Sequence, residues 1–385
     1  MNRKLLLIVC IVITALLGYY FFYNQKGESS SKKVVIKVGV LTPLSGENAT
    51  YGEATNRGLE IALAEISKKE EYKNFQIELV KEDTKLEAAK AVSGIQKLIS
   101  VNKVPVIIGP FGSSEVLAVA QSANTGRTPI ISASATADAI ASAGDYVFRI
   151  VPANKEQGTS MADFVVNQLY HKDSIAVIAL NNDYGISLST SFKNRINELG
   201  GKIFFEDKFD EKAKDFRTLI TKVKSVNPSF IYLPDHYNEA GLFLKQAREL
   251  DLNCPIGGGD GSYSPDLISI AGIGAEGFYL TLMGIDNTNS NTKAFEDAYK
   301  AKYNKDVDVY SAYAYDVLYL VAEVLRQIPE NELVKLDGVL FTKYLNTIKF
   351  QGITGLTSFD SKGEVTKAFK LYSVKDSEFI VVINQ

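Results

Sequence analysis

The chain's 385 residues exceed what one hydrophobic core supports, since cores rarely grow past roughly 250–300 residues, so two lobes are expected. Hydrophobic residues at 46% and charged residues at 23% are the proportions of an ordinary globular protein and exclude a disordered chain. A formal net charge of −3, with no stripe of Lys or Arg, excludes nucleic acid as a partner.

Arg3 and Lys4 precede an apolar run over residues 5–23, broken only by Thr14 and Gly18. At about 19 residues the run approaches the ~20 that span a bilayer and exceeds an ordinary signal-peptide core. No small-x-small cleavage site follows, so residues 1–23 read either as a signal peptide or as an uncleaved N-terminal membrane anchor. Cys10 lies inside the run, after Leu7-Ile8-Val9, a poor setting for lipidation. The basic residues ahead of the run put the rest of the chain on the extracytoplasmic side. Residues 24–33 are polar and form a flexible linker spanning roughly 17 Å. Cys254 is the only other cysteine, so no internal disulfide is expected.

From residue 34 onward short apolar runs alternate with helical periodicity. Strands are expected at 34–41, 75–80, 104–108 and 129–131, with helices at 52–66, 86–99 and 114–124. The pattern restarts after Val151-Pro152, with strands at 175–180, 202–205, 230–233 and 255–257 and helices at 155–170, 186–199, 216–226 and 239–250. Strands this continuously apolar are buried on both faces, which implies an α/β fold of two doubly wound parallel sheets covered by helices. From about residue 278 the pattern changes to helices at 292–303, 311–328 and 341–348, then strands at 369–374 and 378–383. This tail is too short for a third domain. It is expected to cross back and complete both lobes, giving lobe 1 as 34–151 plus 283–357 and lobe 2 as 152–282 plus 358–385. Three crossings make a hinge, and ligands in such folds bind beyond the carboxyl ends of the strands, here in the cleft.

Two loops carry the chemistry. Ile107-Ile108-Gly109-Pro110-Phe111-Gly112-Ser113-Ser114 and Pro129-Ile130-Ile131-Ser132-Ala133-Ser134-Ala135-Thr136 each leave an apolar strand for hydroxyl residues ahead of a helical pattern. Free N–H groups, the helix dipole and hydroxyls together suit a carboxylate. Asp260, in Gly257-Gly258-Gly259-Asp260-Gly261, supplies the opposite partner, so the set fits a zwitterion. Each residue also has a plainer reading: Ser and Thr cap helices, Asp260 fits a turn, and His236 fits the surface. The tyrosines of 310–319 read as structural. Catalysis finds no support. The chain holds only His171 and His236, with no G-x-S-x-G elbow, no P-loop and no metal-spaced Cys or His pair, so no metal or cofactor is expected.

Val38-Gly39-Val40-Leu41-Thr42-Pro43-Leu44-Ser45-Gly46, followed by Tyr51-Gly52, Gly58 and Ala62, resembles the opening of type I periplasmic binding proteins of the leucine/isoleucine/valine-binding family. The likeness continues through Val106–Pro110, Ile131–Thr136, Phe148-Arg149, Tyr184-Gly185 and Ala275-Glu276-Gly277, across most of residues 34–385. It implies a solute-binding subunit that closes around an amino acid and hands it to the permease of an ABC importer. By the resemblance, Ser113, the backbone of Ala135 and the Thr136 hydroxyl contact the α-carboxylate. Asp260 and the Ser134 carbonyl contact the amine, Tyr51 and Tyr184 close over the ligand, and Phe111 is an apolar wall. His236 replaces a binding-site tyrosine, Asp308 stands near a lost aromatic, and the family's disulfide has no cysteines here. A ligand-sensing receptor component, or a binder of an amide, urea or small carboxylate, is the alternative.

Overall fold

The structure is a computed structural model that describes Thr14 and residues 33–382. Apart from Thr14, the signal or anchor segment and nearly all of the linker lie outside the described residues. Among the described residues, no helix is long and apolar enough to cross a membrane.

The first sheet contains β1 (Val34–Thr42), β2 (Phe75–Asp83), β3 (Ile107–Ile108), β4 (Ile130–Ser132) and β5 (Val147–Arg149), in the order β2-β1-β3-β4-β5. Register is parallel where β3 meets β1 and β4, and where β4 meets β5. Helices α1 (Ala49–Ile66), α2 (Ala88–Lys97) and α3 (Ser113–Gly126) connect these strands. Leu41, Ile95, Ile107, Val116, Ile130 and Val147 form one core between sheet and helices. Apolar side chains on both faces of the short central strands leave them no choice but a covered parallel sheet.

The second sheet starts with β6 (Ile175–Leu180), whose six residues are all buried, and β7 (Ile203–Phe209), β8 (Phe230–Tyr232), β9 (Ile256–Gly258) and β10 (Tyr279–Met283). Its helices are α4 (Asn154–Asn167), α5 (Asp183–Glu198), α6 (Arg217–Ser225), α7 (Tyr237–Glu249) and α8 (Pro265–Ala271). The chain then forms α9 (Ser290–Tyr303) and α10 (Val309–Gln327), both packed on α1 beside the first sheet. At Gly58 in α1 a Cβ would lie 2.0 Å from the Ser311 carbonyl oxygen, so only glycine lets α1 and α10 approach this closely. A small hairpin, β11 (Phe350–Gly352) and β12 (Gly355–Thr357), is followed by β13 (Phe369–Lys375) and β14 (Glu378–Val381), which return to the second sheet. Its order is β14-β13-β10-β9-β8-β6-β7.

Three passages join the two sheets: after β5, after β10 and before β13. Two α/β lobes on a three-strand hinge are thus present, as the residue pattern implies. The second sheet is not wholly parallel, however. β13 runs antiparallel to both of its neighbours, β10 and β14, and in the β13–β14 hairpin this follows because a short turn can join only antiparallel strands. β5, β10 and the β11–β12 hairpin have no counterpart among the strands expected from sequence. The last expected strand runs past Val381, and its end at residue 383 lies outside the described residues.

Candidate functional site

The carboxylate-type loops come together at the end of the first sheet. Beyond β3, Gly109 adopts φ +99°, and a Cβ there would sit 2.2 Å from the Leu41 carbonyl oxygen, so the turn toward Phe111 requires glycine. Ser113 then opens α3, and Glu115 accepts from the Gly112 N–H at 2.7 Å. The Ser113 hydroxyl accepts from the N–H groups of Thr136 (3.2 Å) and Ala137 (3.1 Å), which ties the two loops into one unit. A hydroxyl that accepts twice still has its proton to donate. The Thr136 hydroxyl is fully buried and without a partner.

One expectation needs correction here. The second loop does not open an α-helix but only the 3₁₀ turn Asp138–Ser142, because no residue run beyond it sustains helical hydrogen bonds. The dipole contribution therefore comes from α3 alone. The Ala135 N–H donates to the Ser132 hydroxyl at 3.0 Å, a bond internal to the tight loop. Ser134 uses its hydroxyl on the Phe111 carbonyl at 2.7 Å.

Asp260 follows β9 and starts the 3₁₀ turn Asp260–Ser262 in the second lobe. One carboxylate oxygen accepts from the Tyr184 hydroxyl (2.8 Å) and the Gly261 N–H (3.0 Å). Among the described residues no Lys or Arg pairs with it. Burial pushes the carboxyl up to about 6, against the opposing pull of the Gln157, Tyr184 and Gly261 donors. Gln157 of α4 is fully buried and near enough to favour the ionised carboxylate, yet neither of its amide atoms has a hydrogen bond of good geometry. An uncompensated buried anion beside unpartnered polar atoms fits a cationic group.

Aromatic rings line the space between. Tyr51 stacks on Phe111 with centroids 4.5 Å apart, and Tyr310 meets Phe111 at 5.0 Å and Tyr51 at 5.3 Å. Tyr184 stacks on His236 at 5.6 Å. His236 is buried rather than on the surface. Burial lowers its imidazole to about 4, so it is neutral, and its Nδ1 lacks a partner. Tyr310 was missed in the sequence, where it reads as one of several structural tyrosines. The structure sets it in the wall of the site, its hydroxyl donating to the Asp260 carbonyl at 2.6 Å. Asp308, two residues earlier, does not face the rings. It caps α10 through the Ser311 N–H and pairs with Arg57 at 3.2 Å.

Direct bonds join the lobes around this space. The Tyr51 hydroxyl donates to the Gly261 carbonyl, that of Tyr237 to the Glu47 carbonyl (2.8 Å), and that of Thr50 to Asp266 (2.5 Å). Asp138 accepts from Ser187 and Ser191, both at 3.0 Å. At the rim Lys212 pairs with Glu87 at 2.8 Å and Lys214 with Glu47 at 2.9 Å. The cleft is closed, with hydroxyl loops on one side and Asp260 on the other.

Comparison with known proteins bears on the fold and the family. The periplasmic binding protein family matches residues 35–378. The leucine-, isoleucine-, valine-, threonine-, and alanine-binding protein of Pseudomonas aeruginosa is 28% identical over 331 residues, 86% of this chain and 87% of the relative. Among solved structures, a leucine binding protein from Thermotoga maritima superposes with a TM-score of 0.83 at 28% identity, covering 90% of this chain and 98% of that one. A branched-chain amino acid transporter substrate binding protein from Streptococcus pneumoniae, in complex with isoleucine, gives 0.82 at 30% identity, with 90% and 99% coverage. The fold, the closed two-lobe cleft and these likenesses together make the chain a member of the periplasmic binding protein family, of type I and the leucine/isoleucine/valine-binding group.

Proposed function

We propose that the chain is the extracytoplasmic solute-binding subunit of an ABC importer, and that it captures an α-amino acid between its lobes and delivers it to the permease. Lobe 1 comprises residues 34–151 plus 283–357 and lobe 2 residues 152–282 plus 358–385, with residues 1–23 as signal peptide or membrane anchor. Ser113 and Thr136 hold the carboxylate beside the Ala135 backbone, and the Ser134 carbonyl accepts from the ammonium. Asp260 holds the ammonium, while Tyr51, Tyr184, Phe111 and His236 enclose the ligand.

The observation that carries this reading is Asp260, a buried carboxylate without a cation, set across the cleft from a loop pair whose Thr136 hydroxyl is buried and unpartnered. Tyr51 measures how near the two sides stand. Its ring lies on Phe111, two residues before Ser113, and its hydroxyl bonds to Gly261, next to Asp260. Charge-assisted bonds at both ends of a zwitterion are the strong kind.

The test is thermal unfolding of the ligand-stripped full-length chain with α-amino acids, with propionate as the acid without an amine, and with ethylamine as the amine without an acid. An amino acid at about 100 times its dissociation constant adds roughly 2.7 kcal/mol, and the one-ended probes add none at that concentration. Stabilisation by propionate, or by acetamide added as a further probe, and by no α-amino acid would replace this reading with the carboxylate or amide one.

A further inference from the structure

We infer that Tyr51, Phe111 and Tyr310 form a ring plug that limits the ligand to a small side chain, so that glycine, alanine and serine are preferred over leucine and isoleucine. This rests on the amino-acid reading above and goes beyond it by naming the size class.

The three rings touch one another, with centroid separations of 4.5, 5.0 and 5.3 Å. Placing a carbon atom between two ring faces requires about 7 Å, two contact distances of ~3.5 Å. A branched side chain that reaches between them displaces a ring, and the two tyrosine rings are tethered by their hydroxyls. The Tyr51 hydroxyl sits between the Gly261 carbonyl and the Tyr237 N–H, the latter at 3.3 Å. The Tyr310 hydroxyl is held by the Asp260 carbonyl, and the backbone carbonyl of Phe111 by the Ser134 hydroxyl. Tyr310 is backed in turn by Tyr313 at 5.7 Å and Tyr263 at 6.1 Å. The plug begins two residues from Ser113, so a ligand whose carboxylate docks on the hydroxyl loops meets the rings immediately. Tyr51, Phe111 and Tyr310 all belong to elements packed around the first sheet, whereas Gly261, Tyr237 and Asp260, which hold the two tyrosine hydroxyls, belong to the second lobe, so the plug is locked as the lobes close.

Calorimetric titration of the ligand-stripped full-length chain with glycine, alanine, serine, valine, leucine and isoleucine reads the size limit directly. Alanine or serine should bind at least about ten-fold more tightly than leucine. Phe111→Ala, which opens the plug, should narrow or invert that ratio. Phe111→Leu serves the same end with a smaller change if the alanine variant does not fold. Leucine binding to the unmodified chain as tightly as alanine would overturn the size limit and leave the amino-acid reading standing. An unchanged ten-fold preference in a folded Phe111 variant would overturn the rings as its cause. Binding of none of the six would overturn both.

Discussion

Replacing Asp260 by asparagine should move the stability of the empty protein and its affinity for ligand in opposite directions. The Asp260 carboxyl rises from 3.8 to about 6 in the folded chain. At 1.36 kcal/mol per pH unit, the ionised form is therefore disfavoured by about 3 kcal/mol on folding. The folded state holds this proton more tightly than the unfolded state between about pH 4 and pH 6. Stability consequently falls as pH rises through that window, and the whole cost is present above pH 6. Asparagine keeps an oxygen to accept from Tyr184 and Gly261 but brings no charge, so the empty variant should gain about 1–3 kcal/mol at pH 8, shrinking toward zero near pH 4. The same change removes the partner of a buried ammonium, which costs roughly 2–5 kcal/mol of binding, or about 30-fold to several thousand-fold in affinity. Urea unfolding of the ligand-stripped protein at the two pH values, paired with calorimetric titration of alanine, reads both effects. A variant that is less stable at pH 8, or that binds alanine as the parent does, would refute the argument, because Asp260 would then be neither an uncompensated anion nor the ammonium's partner.

Two further outcomes follow from charges around the cleft. Glu115 is buried at the start of α3 with one carboxylate oxygen unpartnered, and burial raises it to about 7, helped by Glu211 and Asp83 nearby. Glu115→Gln keeps an acceptor for the Gly112 N–H and should stabilise the protein by about 1–3 kcal/mol at pH 8.5 and leave it unchanged near pH 4.5, because the native glutamate is already protonated there. Equal effects at both pH values in denaturant titrations would contradict this. At the rim, Lys212→Ala with Lys214→Ala removes two interlobe ion pairs, both largely exposed. Ligand affinity should drop by only about two- to five-fold in low salt, as exposed pairs contribute little, and the difference should vanish near 1 M salt, where the screening length is about 3 Å. A loss that persists at high salt would mean that these lysines act through something other than charge.

Much of the fold is legible in the sequence because buried parallel strands announce themselves. The run 175–180 is apolar throughout and is β6 to the residue. Strands that the pattern hides are those whose burial comes from elsewhere. β5 is three residues long and ends on Arg149, whose guanidinium is fully buried against the Ala137 carbonyl and Glu364, a partner far along the chain. β11 and β12 contain Gln351 and two glycines, and are fixed by Asp316 of α10, which accepts from the N–H groups of Ile353 and Thr354. In the site, Ser113, Thr136 and Asp260 are visible because they follow apolar strands directly. Tyr310 is not, because in a run holding Tyr310, Tyr313, Tyr315 and Tyr319 the rotational phase of the helix decides which ring faces the cleft. Its closeness to the helix start, two residues past the Asp308 cap, is the one available signal. Gln157 carries none, since a polar residue on α4 reads as a solvated face until the second lobe folds over it.

The grip is divided: the hydroxyl loops and the ring plug stand on one lobe, and Asp260 stands on the other. On the proposed reading, a solute with an acid group and no amine satisfies the first lobe alone and gives the second nothing to pull on. Closure then acts as a checkpoint, and a half-matched acid becomes a silent occupant that delays the true cargo without being carried itself. An importer that responds only to the shut form would thus be shielded from such impostors by geometry, before any contact with the membrane is made.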